Sequence, residues 1–482
     1  MDKLGDIFFH YDVSPTTWFY LSALMITGIF FKFYRVLSVR NMDIAALLFF
    51  GPSMLLMMFG YVQAGYIIMF CMTLFYAIRL LLDGLMVRRP LLEPNLDSSG
   101  MRFTCISLLI FLAGSIAISV CPLEIKPGSE LMTQQPLSLE NALRISQIKN
   151  QQELTDSAQR GPGYPWFHEF ALTPLSSAAP VPEVKEPSQV ENNTHGSDAA
   201  DNFASLSPTL NPTPSSLSST TALNLNESHV YWTKILAIMG HILIVTGIIA
   251  VGYFHFGNFD TGVSAAVLYL LLPYSYQFAT RLDHIIPAAF LIWALVFYRR
   301  PWVSGFLIGM ASTLVYYPWF LLPLWISFYW RRGAVRFTMS AIITMLIMGL
   351  TILVFSQSRE SCVDNIVNMM GCVGMFWHRP QGFWDVAVSD IAYRIPVLAA
   401  YCALCFSLIF WPSQKNLGVL LSCSAAVLLG SQLCHPYQGG LYMAWYLPFL
   451  ILTIFRPNLE DRVAASSVYE SRFRIIPRYS KE

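Results

Sequence analysis

The run from Arg281 to Arg332, RLDHIIPAAFLIWALVFYRRPWVSGFLIGMASTLVYYPWFLLPLWISFYWRR, decides the fold. It opens with the polar sequence RLDH and continues as an apolar segment that ends in two arginines. A second apolar segment follows, is interrupted by YYP near its middle, and also ends in two arginines. Long apolar segments that end in basic residues are typical of helices that cross a membrane.

The composition of the 482-residue chain also indicates a membrane protein. Hydrophobic residues make up 55% of the chain and charged residues 12%, whereas soluble domains carry about 25% charged residues. The net charge is +1, and the basic residues are spread over short loops, so we expect no nucleic-acid partner. Membrane lipid is the partner that the composition predicts.

Eleven apolar runs with at most one charged residue each approach the roughly 20 residues that a helix needs to cross a bilayer. They predict an all-α polytopic membrane protein with about 11 transmembrane helices. The runs are 16–34, 42–60, 64–82, 103–123, 232–254, 262–280, 285–298, 337–355, 393–411, 417–434 and 439–455.

A further apolar run, 302–330, is too long for one untilted span and too short for two. Pro318 lies near its middle, and a proline inside a helix removes a backbone hydrogen bond. One interpretation is a re-entrant pair of half-helices, which is tolerated where the break is covered by protein or lines a cavity. The alternative is one long, proline-kinked helix.

The positive-inside rule predicts the orientation. If 302–330 is a hairpin, every basic cluster falls on one side, which we assign to the cytoplasm; a kinked helix would place the basic tail outside. We expect a protein of the bacterial cytoplasmic membrane, with its N-terminus outside and its C-terminus in the cytoplasm. The first 15 residues lack the pattern of a signal peptide, so we expect the first span to direct insertion.

Changes in composition divide the chain into five predicted regions. They are a three-helix membrane segment (1–101), the next helix (102–125), an extracytoplasmic segment (126–229), the main transmembrane bundle (230–456) and a cytoplasmic tail (457–482). In the extracytoplasmic segment, spaced apolar residues predict a surface helix at 137–160, and the Ser/Pro-rich composition of 176–228 predicts disorder. The tail has no periodic pattern, and we expect it to be mobile.

Polar residues that the topology places outside are candidates for a functional site, because they are costly to bury in lipid. Arg281, followed by Asp283 and His284, has planar donors that suit a phosphate; alternatively, RLDH only ends one helix and caps the next. His378 and Arg379 either bind an anionic head group or anchor the chain at the membrane interface.

Four other residues complete the set of candidates. His435 and Tyr437 lie in a polar turn before the last span and either bind a substrate or only form the turn. Glu140 and Glu169, in the outer segment, are candidate general bases, although a lone surface carboxylate is usually only solvated. No Cys/His spacing resembles a zinc site. No cofactor is identified, and a role for a divalent cation stays open.

A lone histidine in a span and a motif on the cytoplasmic side have simpler interpretations. His241 stands alone on an apolar span and is predicted to be a hydrogen-bonded core residue. The sequence HFGNFDTG at 255–262 is rich in Gly and Asn and predicts a tight turn.

The order of several segments resembles the GT-C superfamily of polyprenyl-phosphate-sugar-dependent glycosyltransferases, in particular its mannosyltransferase-like branch. These segments are the span 103–123, the helix around Glu140, GPGYPWFHEF at 161–170, LLLPYSYQFATRLDH at 270–284, SGFLIGMASTLVYYPWFLLPLW at 304–325, and Tyr442 with Pro448. The resemblance covers about 102–456. It implies a GT-C-like bundle that begins with the helix 102–125 and is preceded by extra N-terminal helices.

Two hypotheses for the function remain. The resemblance implies transfer of a sugar from a lipid-linked donor, a polyprenyl phosphate, to an extracytoplasmic acceptor. Glu140 or Glu169 would act as the base, and Arg281, His378 or Arg379 would hold the phosphate. The external Asp pattern usual in that family is absent, and Glu140 is its nearest substitute. The alternative is a non-enzymatic transporter or assembly scaffold, although no inverted repeat supports transport. The sugar, the acceptor and the oligomeric state stay open.

Overall fold

The computed structural model describes residues 15–85, 92–118, 227–277, 279–355, 383–386, 391–413, 415–435, 443–459 and 462–468. These residues are mostly helical, and among them the only strand-like pairing is an isolated bridge between Asn416 and Val463. The predicted all-α class is confirmed for this part of the chain. The predicted surface helix 137–160 and the Ser/Pro-rich stretch 176–228 lie outside the described residues.

Each of the eleven predicted apolar runs overlaps a helix. In chain order the α-helices are α1 Pro15–Phe30, α2 Val39–Met58, α3 Val62–Leu81, α4 Ser98–Ile118, α5 Glu227–Val251, α6 Phe259–Leu271, α7 Pro273–Gln277, α8 Leu282–Val296, α9 Pro301–Leu314, α10 Leu322–Phe328, α11 Ala334–Phe355, α12 Phe383–Val386, α13 Arg394–Phe410, α14 Leu417–Cys434, α15 Met443–Phe455 and α16 Ala464–Ser467.

Short polar side chains fix where several helices begin. Side-chain oxygens of Ser38, Asn258 and Asn416 accept hydrogen bonds from backbone N–H groups in the first turns of α2, α6 and α14. These bonds satisfy donors that the start of a helix leaves without an intrahelical partner.

The core is formed by helices that are apolar on all sides. Every residue of α15 is buried, and so is nearly every residue of α14. A helix without a polar face belongs inside a bundle. α8 packs against α5, α9 and α15, and α14 packs against α3 and α15, so α14 and α15 form the centre.

The outer helices expose large apolar side chains. Phe103, Ile110 and Leu346 are 72%, 67% and 60% exposed, and an apolar surface of this kind suits contact with lipid. In the described part of the chain, five helices are long and apolar enough to cross a membrane, judged by length and composition. They are Val39–Met57, Val62–Gly84, Ser98–Ala117, Lys234–Phe256 and Leu417–Cys434. The fold is therefore compatible with an integral membrane protein.

The run 302–330 folds back on itself and does not form one kinked helix. α9 ends at Leu314, Val315 is extended, and the chain returns through the 3-10 helix Tyr317–Leu321 and then α10. Pro318 lies in the first turn of the returning half, where its missing N–H removes no helical hydrogen bond. The proline thus starts the second half of a hairpin.

The two ends of this hairpin meet. The Tyr329 hydroxyl, after the returning half, donates to the backbone oxygen of Tyr298 and lies 3.5 Å from Ser304 Oγ. Gly333, at φ 101°, lies so close to Pro301 that an added Cβ would be 2.5 Å from the proline Cγ. The chain therefore leaves the hairpin at the end of the bundle where it entered, in agreement with the hairpin interpretation.

Basic segments gather at one end of the bundle, which we call the basic end. Arg79 forms ion pairs with Asp43 and Asp83, and Arg456 pairs with Asp83. Other contacts at this end join Lys32 to Asn95, Arg102 to Asp260 and Arg332 to the backbone oxygen of Ala465. These residues therefore share one end of the bundle, as a gathering of the basic clusters on one side requires.

The expectation of a mobile tail is wrong for its first part. Leu459 and Val468 are buried, and the Leu417 N–H donates to the Arg462 oxygen at 2.9 Å. Scattered apolar residues do not form a periodic pattern, but Leu459 and Val468 pack against the bundle in the part of the tail that the structure describes, 457–459 and 462–468.

The two local predictions are confirmed. His241 is buried, with Nδ1 3.0 Å from the Tyr269 hydroxyl and Nε2 3.2 Å from the Ala279 oxygen, so it is a hydrogen-bonded core residue. At the predicted turn, Gly257 adopts φ 71°, a left-handed conformation that favours glycine, and Asn258 caps α6.

Candidate functional site

The end of the bundle opposite the basic end, which we call the site end, brings together three stretches that are far apart in sequence. They are the start of α8, the tip of the hairpin and the junction between α14 and α15. α8 has 15 residues and is therefore about 22 Å long. This length separates the site end from the basic end.

Arg281, Asp283 and His284 form the polar part of the site end. Arg281 Nη2 lies 3.1 Å from Asp283 Oδ2, and His284 Nε2 lies 3.8 Å from the same oxygen. The Arg281 side chain is 16% exposed and that of His284 is fully buried. Arg281 occupies the N-cap position of α8, but no side chain caps the helix there. RLDH therefore forms a charged group and does not serve as a side-chain cap.

Trp445 joins the polar group to the hairpin. Its ring is stacked on Tyr317, with centroids 3.7 Å apart, and lies 5.7 Å from the His284 ring. The His435 ring lies 5.9 Å from Trp445 and is stacked on Tyr316 at 5.8 Å. One tryptophan thus connects the predicted polar group, the predicted turn and the break in the hairpin.

The hairpin tip holds buried hydroxyls without hydrogen bonds. Neither Tyr317 OH nor Ser312 Oγ has a hydrogen-bond partner among the described residues. A buried hydroxyl without a partner costs about 1–3 kcal/mol, and such groups are rare in proteins. A water or a polar group of a ligand is the usual kind of partner in such a place.

Arg394 brings a second guanidinium to the site end. It is the first residue of α13 and is buried, and its Nε donates to the oxygen of Cys434, the residue before His435. Guanidinium groups bind phosphates and carboxylates with paired hydrogen bonds. The site end thus has the cationic chemistry that an anionic ligand requires.

The structure brings four of the nine predicted site residues to the site end. They are Arg281, Asp283, His284 and His435. The other five lie outside the described residues: Glu140, Glu169, His378, Arg379 and Tyr437.

Sequence reasoning missed Tyr316, Tyr317, Arg394 and Trp445. For the two tyrosines a signal existed, because the predicted hairpin already placed its tip on the side of RLDH. No comparable signal existed for Trp445, since a tryptophan in an apolar span is usually a core residue.

Within the described ranges, no group of three or more His, Cys, Asp or Glu side chains could hold a metal ion. Comparison with known proteins found no matching family model, no matching curated protein and no matching solved structure.

Proposed function

We propose that the chain is a polytopic protein of the bacterial cytoplasmic membrane, with its site end facing outward. In this arrangement about 11 helices cross the membrane, the hairpin is re-entrant, the N-terminus is outside and the C-terminus is in the cytoplasm. The gathering of arginines at the basic end supports this orientation. Burial of the hairpin tip under α14 and α15 supports re-entry, because an irregular backbone at membrane depth must be covered by protein.

We further propose that the protein transfers a sugar from a polyprenyl-phosphate donor to an extracytoplasmic acceptor, as in the GT-C-like proteins that its sequence resembles. One observation carries this proposal: the group Arg281, Asp283 and His284 lies beside the aromatic tip of the hairpin, with Trp445 between them. Such a site, at the outer membrane surface, needs no nucleotide, because the donor is held in the lipid.

The chemistry of such a transfer assigns roles to these residues. The acceptor hydroxyl attacks the anomeric carbon and gives its proton to a carboxylate, Glu140 or Glu169. The bond between that carbon and the phosphate oxygen breaks, and polyprenyl phosphate leaves with the electron pair. Negative charge grows on the phosphate during this step, so a preorganised guanidinium lowers the barrier. Arg281 has five donors, enough to contact both Asp283 and a phosphate.

A second candidate function is that of a non-enzymatic assembly scaffold. The observation that favours it is the close packing at the site end, where His284 is fully buried and Tyr317 is stacked on Trp445. A polar group packed in this way also serves to fix the arrangement of helices.

The deciding experiment measures release of radiolabelled sugar from polyprenyl phosphate by the purified protein in lipid nanodiscs. We expect turnover by the native chain, a loss of roughly 100-fold in Arg281→Gln, and no change in Arg331→Gln, an exposed arginine of the basic end. One of the two variants Glu140→Gln and Glu169→Gln, the one that removes the base, should abolish turnover. Equal rates in Arg281→Gln and the native chain, or no turnover of any polyprenyl-phosphate sugar, would contradict the transfer and favour the scaffold.

A further inference from the structure

A groove on the outside of the bundle runs between α9 and α11. It has a volume of about 470 Å³, and the residues along it include Trp302, Phe306, Arg336, Ser340, Ile343 and Ile347. The two helices that form it are in close contact, since a Cβ added to Gly305 would lie 2.3 Å from the Phe337 oxygen. Small residues that let two backbones touch are typical of helix pairs in membranes.

The groove has a charged end and an apolar remainder. Arg336, in the first turns of α11, is exposed and forms no hydrogen bond or ion pair with any residue that the structure describes. The hydroxyls of Ser340 and Thr344 donate to the backbone oxygens of Trp302 and Ser340 at 2.7 and 2.8 Å. These hydroxyls are therefore satisfied within the protein, and the groove offers an apolar surface below its arginine.

The charged end lies at the level expected for lipid head groups. Arg336 and Trp302 follow the starts of α11 and α9, which both lie at the basic end. Trp302 is 61% exposed, and exposed tryptophans concentrate at the interface between membrane and water. Anionic lipids accumulate in the cytoplasmic leaflet and are attracted by basic residues at this depth.

The length of the groove matches one leaflet. From Arg336 to Ile347 the helix rises by roughly 16 Å, and half of a hydrocarbon layer of about 30 Å is about 15 Å. A single acyl chain that starts at the head-group level would therefore lie along the whole groove.

We propose that this groove binds one acyl chain of an anionic phospholipid from the leaflet at the basic end, with the lipid phosphate on Arg336. The guanidinium supplies paired donors to the phosphate oxygens. Lipid bound here would fill the groove on the outer surface of α9 and α11 and stabilise the packing of α9, the first half of the hairpin. The site lies at the opposite end of the bundle from Arg281, so the proposal does not depend on sugar transfer.

Native mass spectrometry of the protein released from equimolar phosphatidylglycerol and phosphatidylcholine tests the head-group contact. We expect the native chain to retain phosphatidylglycerol and Arg336→Gln to retain roughly fivefold less, the effect of about one basic residue at a membrane surface. Arg331→Gln, at an exposed arginine outside the groove, is the matched control and should behave like the native chain. Equal retention by Arg336→Gln and the native chain would overturn the proposal.

A second pair of variants tests the acyl-chain contact. Ile343 lines the groove and Ile342 does not, yet the two are 47% and 45% exposed. We expect Ile343→Trp to fill the groove and reduce retention of both lipids, and Ile342→Trp to leave retention unchanged. The same retention in both variants would show that no acyl chain occupies the groove.

Discussion

The two ends of the bundle hold their buried charges in different ways. At the basic end, Arg79 uses three nitrogens, with Nε and Nη2 on Asp43 at 3.0 and 2.9 Å and Nη1 on Asp83 at 3.0 Å. At the site end, the contact between Arg281 and Asp283 runs through Nη2 at 3.1 Å. The contacts of Arg79 thus link separate helices, whereas the contact between Arg281 and Asp283 lies within one stretch of sequence, beside aromatic rings.

This difference favours a structural role for the basic end. The network connects four places in the chain. Asp43 lies near the start of α2, Arg79 near the end of α3, Asp83 in the turn after α3 and Arg456 at the end of α15. It therefore joins the N-terminal segment to the core. The group around Asp283 is instead linked through the Trp445 ring to Tyr317, whose buried hydroxyl has no hydrogen-bond partner among the described residues. The network at the basic end therefore joins separate helices, whereas the unpaired hydroxyls at the site end lower stability, a feature that is common where proteins bind ligands.

The largest predicted effect is at the basic end. Arg79→Met removes the guanidinium that Asp43 and Asp83 share, whose carboxylates are 3% and 2% exposed, although Asp83 keeps its ion pair with Arg456. Breaking a buried ion pair in this way costs about 3–5 kcal/mol. We expect this decrease in the free energy of unfolding, measured in mixed micelles.

The exposed ion pair of Arg102 with Asp260 supplies the control, since its side chains are 53% and 41% exposed. We expect Arg102→Met to cost about 0–1 kcal/mol. A similar small cost for Arg79→Met would mean that the network does not hold the N-terminal segment in place.

A smaller effect is expected at the site end. Asp283→Asn removes the negative charge that Arg281 contacts, and Arg281 is partly exposed and can be solvated, so we expect a loss of about 1.5–3 kcal/mol in the same measurement. A loss as large as that of Arg79→Met would erase the difference between the two ends, and the charged group around Asp283 would then be mainly structural.

The smallest effect compares two fully buried tyrosines of the hairpin region. Tyr329→Phe removes a hydrogen bond to the Tyr298 oxygen and should cost about 1 kcal/mol. Tyr317→Phe removes a hydroxyl that has no partner among the described residues, so stability should stay unchanged or rise by about 1 kcal/mol. A clear loss of stability in Tyr317→Phe would reveal a partner and weaken the case for a site at the tip.

Local features of the sequence predicted much of the fold. The break at Pro318 and the one-sided arginines predicted the hairpin, because both follow from rules that act over a few residues. The lone His241 was predicted as a core residue for the same kind of reason. The position of Trp445 between Tyr317 and His435 could not be predicted, because it depends on how α8, α14, α15 and the hairpin pack in three dimensions.

The hairpin also has a consequence for how the protein is made. Its tip is buried by His435 and Trp445, which belong to the end of α14 and to α15 and therefore leave the ribosome much later. Until those helices are made, Tyr316 and Tyr317 lack the two rings on which they stack. The tip therefore reaches its final packing only when the last helices of the bundle are in place.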